Sequence, residues 1–264
     1  MTIPTQITER INVHLNTIEQ QNDVTVLFAV EAGSHIWGLE SADSDYDVRF
    51  VFCRPRASYL SIDLDEKRDV IQQTIDDTFE FHGWDIRKAL RLFKDSNPSI
   101  IEWLQSGIVY REQSSFARHL RKLLPDFYSQ KPSFFHYKHM AERNVREHLT
   151  GEVVRQKKYL YVVRPLLATM WIRKSADPVP LEFRQLLRMT LSPGKTCDAV
   201  ERLIAAKQAG DLLDRGPRIE ELSHFIDQEM KALAIPPQLP ERNPPSVERL
   251  NNLFRATLGE IFPE

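Results

Sequence analysis

Two carboxylates, Asp45 and Asp47, stand two residues apart at the head of an apolar run, Val48 to Phe52, that also carries Arg49. Upstream, a β-branched and apolar stretch, Val24 to Val30, gives way to Gly33-Ser34, and ten residues separate Ser34 from Asp45. In an extended chain, residues two apart project from one face, so Asp45, Asp47 and Arg49 share a side. Adjacent carboxylates repel, and at least one should hold its proton more tightly than usual unless a cation lies between them. Hard oxygen ligands of this kind suit Mg²⁺ (or Mn²⁺) held jointly with substrate phosphates. Gly33 lets backbone approach a phosphate closely, and Ser34 offers a hydroxyl and an N–H where a helix could begin. Asp-x-Asp alone is weak evidence. The conjunction of buried strand, Gly-Ser, gap, Asp-x-Asp and second strand describes two-metal phosphoryl transfer, with cations about 3.5–4 Å apart serving the attacking oxygen and the leaving pyrophosphate.

Such a site wants a third carboxylate from a neighbouring strand. In Thr78-Phe79-Glu80-Phe81-His82, the two Phe share one face while Glu80 and His82 share the other, so Glu80 can be offered to the metals. Asp85 competes with it, and its plainer role is to cap a helix N-terminus. Asp77 reads as a turn residue. His35 and His82 lack Cys or His partners at ligand spacing, which argues against zinc. Trp37 and Trp84 read as packing residues.

These residues need elements to hold them. Ile7, Ile11, Leu15 and Ile18 mark an amphipathic helix over about 5–20. Val24 to Val30 and Tyr46 to Phe52 read as strands, the first buried on both faces. Ser34 to Leu39 could form a turn of helix. Asp69 to Thr74 and Thr78 to His82 read as two further strands joined by an Asp76-Asp77 turn. Gly83-Trp84-Asp85 then opens a helix carrying Ile86, Ala89, Leu90 and Phe93. Asn97-Pro98 starts another as N-cap and first helical residue, and Ser106-Gly107 ends it. From about Ser114 strand signals vanish. Helices are expected near 114–124, 133–149, 152–173, 180–189, 196–212, 217–233 and 246–260, with Pro165 kinking or splitting the third. Five prolines between Ile235 and Pro245 mark an extended connection. The expected fold class is α+β. A small mixed β-sheet domain, residues 1–112, is followed by a helical region, 113–264.

Composition narrows the function classes. Hydrophobic residues are 42% and charged residues 27% of 264, which excludes a mainly disordered chain. Two Cys cannot build a disulfide framework or a four-Cys zinc site. No apolar run approaches the roughly 20 residues that span a bilayer. The polar, amphipathic N-terminus lacks the pattern of a signal peptide, so a cytoplasmic protein without a membrane partner is expected. A net charge of −2 excludes a basic coat over the whole surface, though not a local patch. Such a patch exists: Lys131 to Lys174 holds ten Lys/Arg against three acids. Within it, Lys158, Tyr161 and Arg164 lie at i, i+3 and i+6 and can share one side of a helix. They could neutralise a triphosphate and seat a ribose or base, and the basic face could follow an RNA backbone.

At this point the sequence resembles a known group. Gly33-Ser34 with Asp45-x-Asp47 resembles the signature of the polymerase-β nucleotidyltransferase superfamily. The resemblance is nearer to its RNA-repair-pathway branch (RlaP, or YcgL-like), over roughly residues 25 to 190. Four stretches carry that branch: Gly83 to Leu90, Asn97 to Leu104, His136-Tyr137 with Met140-Ala141, and Lys157 to Ala168. The resemblance implies a polymerase-β palm-like sheet domain with a helical C-terminal region, an NTP substrate and Mg²⁺. By position it implies Asp45 and Asp47 as metal ligands, Gly33 and Ser34 as the phosphate grip, and Glu80 where Asp is more familiar as third acid. Three functions follow as expectations: NMP transfer to an RNA end with release of pyrophosphate, the same transfer to a small molecule or protein side chain, or nucleotide binding without catalysis. The basic segment favours RNA.

Overall fold

The computed structural model describes residues 3–211, 215–235, 237–241, 243 and 245–263. Helix α1 (Thr5–Asn22) leads into β1 (Thr25–Glu31), a short helix α2 (Gly33–Trp37) and β2 (Tyr46–Cys53). Two single 3₁₀ turns precede β3 (Val70–Ile75) and β4 (Phe79–Asp85). Helices α3 (Ile86–Lys94) and α4 (Pro98–Gln105) follow, then β5 (Val109–Glu112) and α5 (Phe116–Phe127). The remainder runs α6 (Gln130–His148), β6 (Val153–Val154), α7 (Lys157–Lys174), α8 (Phe183–Thr190), α9 (Lys195–Ala209), β7 (Gly216–Pro217), α10 (Glu220–Leu233) and α11 (Glu248–Ile261). The α+β class expected from the sequence is the class observed. The end of the helix expected over 196–212, and Pro236 and Pro244 of the proline-rich segment, lie outside the described residues.

The chain divides into two compact units: Met1–Ile36 with Asp45–Tyr128 and Asn243–Glu264, and Trp37–Ser44 with Ser129–Arg242. Packing thus draws the line elsewhere than the 112/113 boundary suggested by the change in sequence texture. Phe116, Ala117 and Leu120 of α5 and Leu250, Leu253 and Leu258 of α11 bury their side chains with the sheet, so both helices belong to the first unit. Trp37 to Ser44 joins the second, where Leu39 is in the core and its carbonyl accepts from Lys207.

The first unit is a five-stranded mixed sheet of order β3-β4-β2-β1-β5. The run Val26 to Val30 is wholly buried because both faces are covered. Val48, Phe50, Phe52, Phe79 and Phe81 pack towards Ile11, Leu15 and Ile18 of α1. Val51, Cys53 and Trp84 face the other way, into a core with α3, α4, α5 and α11. β3 and β4 form a hairpin through the three residues Asp76-Asp77-Thr78, with Asp76 and Asp77 both at positive φ (51° and 50°). The hairpin returns β4 parallel to β2, with Asp47 opposite Glu80 and Arg49 opposite His82. Gly83, opposite Phe50, leaves room for that ring: a Cβ there would lie 2.1 Å from it. β5, absent from the sequence expectation, pairs antiparallel with β1. Its four residues are too few for alternation to register.

The second unit is helical, with one two-stranded ladder of β6 and β7. Its core centres on α7, where Leu160, Val162, Val163, Leu166, Leu167 and Ile172 are buried. The expected break at Pro165 does not occur: α7 is one helix from Lys157 to Lys174. Proline has no N–H to give the carbonyl of Tyr161 four residues back. The side-chain amide of Asn144, on α6, donates to that carbonyl at 2.8 Å instead. None of the helices described is long and apolar enough to cross a membrane.

Candidate active site

The N-terminal ends of β2 and β4 and the last residue of β1 place charged groups together in the first unit. Asp47 and Glu80 are the second residues of their strands and are register partners. Their face is the one that farther along carries Val51 and Trp84. Arg49 lies between them. Its guanidinium donates to Asp47 Oδ1 at 2.7 Å and meets Glu80 Oε1 at 3.2 Å. Burial is the main force raising the pKa of Asp47; Arg49 opposes the rise, while Glu80 and Asp45 add to it. The cation expected between crowded carboxylates is therefore supplied by the strand itself. Asp45 is exposed, immediately before β2, and acts on Asp47 through its charge.

Gly33 has φ +61°, and a Cβ there would stand 1.9 Å from Oδ2 of Asp47. The close approach that requires glycine is thus to the chain's own carboxylate. Ser34, next in α2, is buried. Behind this group lies Glu31, which the sequence reading missed. It is fully buried, accepts from the Asp47 backbone N–H at 3.0 Å and from the Tyr110 hydroxyl at 2.6 Å, and has its pKa pushed up to about 7, chiefly by burial. Glu31 ties the end of β1 to the residue presenting the central carboxylate. Its signal in sequence was an acid closing an otherwise apolar strand.

Glu31 carries a pH prediction. Its folded pKa lies above the ordinary 4.5, so its contribution to stability is full below that value and is lost as pH rises through about 7. At about 1.4 kcal/mol per unit the loss is at most about 3 kcal/mol. Glu31→Gln keeps the size and removes the charge. Denaturant midpoints at acidic and mildly alkaline pH should converge in that variant while wild type falls; parallel profiles would contradict the assignment.

Asp85, the competitor for the third acid, is at the opposite end of β4. It caps α3, accepting from Arg87 N–H at 2.8 Å, and also accepts from the Tyr59 hydroxyl at 2.8 Å. His82 accepts from the Trp84 indole at 2.9 Å, and Trp84 stacks on Trp103 at 4.0 Å, so both have packing roles.

Lys158, Tyr161 and Arg164 belong to the second unit and do line up along α7. The Lys158 ammonium lies 4.8 Å from the Tyr161 ring, Tyr161 meets Trp37 edge-on at 6.1 Å, and Arg164 lies 4.3 Å over the Trp37 ring. Arg164 is buried, within reach of the Leu181 carbonyl at 3.5 Å, and is not part of a surface. Burial, then Lys157 and Arg155, lower the pKa of Lys158.

The donor set Asp45, Asp47 and Glu80 is all hard oxygen, which fits Mg²⁺ or Mn²⁺ in chemical type. With Arg49 bridging two of them, no group of three or more His, Cys, Asp or Glu among the described residues is gathered to hold a metal. Arg49 takes one oxygen of each of Asp47 and Glu80.

The chain is similar in sequence to known proteins. The chain is 39% identical over 257 residues to the "Uncharacterized protein YcgL" of Bacillus subtilis (strain 168), covering 97% of this chain and 98% of that one. A nucleotidyltransferase-like protein from Exiguobacterium sibiricum 255-15 aligns over 97% of this chain and 89% of its own, at 12% identity and a TM-score of 0.32. The sequence model of the RNA repair pathway DNA polymerase beta family matches residues 7–256. That match takes in Gly33-Ser34, both strands that pair Asp47 with Glu80, and most of the helical unit, and the chain belongs to this polymerase-β-type nucleotidyltransferase family, RlaP.

Proposed function

We propose that the chain transfers an NMP from an NTP to an RNA end, releasing pyrophosphate, with the chemistry centred on Asp45, Asp47 and Glu80. The observation that carries this reading is the register of β2 against β4, which sets Asp47 beside Glu80 with a single guanidinium between them. Mg²⁺ or Mn²⁺ bound by the three carboxylates would supply charge compensation for the triphosphate and a lowered barrier to attack by an RNA hydroxyl. Arg49, released from the carboxylates, would hold a phosphate through its planar fork. Gly33 and Ser34 would present backbone and hydroxyl donors to the phosphates. Glu31 fixes the backbone of Asp47 and so orients its carboxylate. On the second unit, Lys158 and Tyr161, with Arg164 over the Trp37 ring, are separately proposed as contacts for a nucleotide.

RNA is favoured as acceptor by the family's description and by the ten Lys/Arg against three acids in Lys131 to Lys174. A cationic small molecule would favour an acidic cleft instead. Pyrophosphate release should require RNA, an NTP and Mg²⁺ together, stop on chelation and return when Mg²⁺ is restored. Release that continues after chelation would remove the metal from the account. Release that ignores RNA would move the acceptor to water, a small molecule or the protein itself.

A further inference from the structure

A second concave site lies in the first unit, where α3 packs against α11. The pocket has a volume of about 350 Å³. Its rim carries Arg87, Arg91 and Lys94, and its floor is made by Leu90, Leu250 and Phe254. The three cations are spaced i, i+4 and i+7, so they stand along one face of α3 over about 10 Å. None of the residues lining the pocket is an acid. Asp85 caps α3, accepts from Tyr59 and interacts through its charge with Arg54 and Arg87, and Glu248 pairs with Arg255 and accepts from Asn251. Lys94 has a partner in exposed Asp95, at 3.5 Å. Leu90 and Leu250 are buried beneath the rim, and Phe254, half-buried, is held edge-on by Tyr59 at 5.1 Å.

This site is not the one described above. It opens at the far end of β4, five strand residues beyond Glu80, or about 17 Å of extended chain. Neither Asp47 nor Glu80 lines it.

We propose that this pocket binds a nucleotide unit, with the phosphate on Arg87 and Arg91 and the base against Leu90, Leu250 and Phe254. Charge selects an anion. Two guanidinium forks on adjacent turns match the oxygens of a phosphate, which a single ammonium does not. The apolar floor selects an anion with a flat, poorly hydrated body, and an aromatic side chain beside cations is the usual platform for a base. An acidic peptide would satisfy the cations and leave the floor unused. The volume is at the lower end of small-molecule pockets, of the size for one nucleotide and not for a folded domain.

The nucleotide unit can be free or part of an RNA strand, and one experiment separates the two. The whole protein is titrated into a labelled single-stranded RNA of roughly ten nucleotides, read by fluorescence anisotropy over a series of salt concentrations. AMP, inorganic phosphate and oligoglutamate serve as competitors. Arg87→Glu/Arg91→Glu should weaken binding by about tenfold or more near 0.1 M salt and flatten the log–log salt dependence by about one to two. Phe254→Leu should weaken binding without changing that slope. Displacement by AMP identifies a free-nucleotide site; binding of the strand with no displacement by AMP identifies a strand site. Equal affinity and slope in the double variant would overturn the proposal, as would displacement by oligoglutamate or phosphate as effective as that by AMP. Arg91→Gln, at an exposed position, gives the same test in smaller measure should the double variant fail to fold.

Discussion

Asp47→Ala is expected to lower nucleotidyl transfer by about three orders of magnitude or more while leaving the protein folded. The two halves of this prediction rest on different contacts. Asp47's carboxylate is the one placed among Glu80, Asp45 and Arg49, so removing it takes away the centre of the negative cluster that the proposed cation would occupy. The fold, by contrast, depends on Asp47 through its backbone: its N–H reaches Glu31 and its carbonyl accepts from Ala32 at 2.9 Å. Alanine preserves both. Burial raises the pKa of the carboxylate, so the side chain is held at a cost and its loss should move the melting temperature little. Arg49 retains Glu80 as a partner. Single-turnover transfer beside a circular-dichroism melt checks both halves. Turnover at the wild-type rate would reject the site, and a collapsed melt would recast Asp47 as a structural residue.

Gly33→Ala should be nearly as damaging to activity, by about two orders of magnitude, through a different cause. A methyl at this position would overlap Oδ2 of Asp47, which stands 1.9 Å from the ideal Cβ, and the backbone is in the left-handed region at φ +61°. The conformation alone costs about 1–2 kcal/mol for a residue with a Cβ. The overlap must be relieved by turning the Asp47 carboxylate away from Arg49 and Glu80 or by shifting the start of α2. A double-mutant cycle separates these parts. In an Asp47→Ala background the obstructing oxygen is gone, so Gly33→Ala should cost less stability there than in wild type, by about 1 kcal/mol or more. Additive losses would mean that the conformational strain alone matters and that the closeness of Gly33 to Asp47 is incidental.

The elements that present Asp47 and Glu80 were legible because each depends on local pattern. The continuous run Val24 to Val30 announced a doubly covered strand, and the alternation in Thr78 to His82 set Glu80 opposite the two phenylalanines. Asn97-Pro98 gave its helix start directly, and Asn97 accepts from Ser99 N–H as a cap. What escaped depends on partners distant in sequence. Glu31 becomes meaningful only when β5 brings Tyr110 beside it, 79 residues away. Pro165 reads as a helix breaker until Asn144 is seen serving the carbonyl it abandons. The division of the chain escaped for the same reason. Helical texture begins near Ser114, but which core a helix joins is decided by where its apolar face finds cover, and α5 and α11 find theirs on the sheet. The tie between Arg49 and both carboxylates falls between these cases. The shared face of Asp47 and Arg49 was read from spacing, and the link to Glu80 needed the parallel register.

Asp45 and Asp47 are proposed to serve NMP transfer to RNA. The most direct measurement incubates the pure protein with Mg²⁺, each α-labelled NTP in turn and total tRNA, beside Asp45→Ala/Asp47→Ala, and reads label on RNA, on protein and in free NMP. Label on RNA with wild type and none with the double variant is the predicted result, and it names the preferred nucleotide. Equal label on RNA with both proteins, or label that reaches only protein or water, would contradict it.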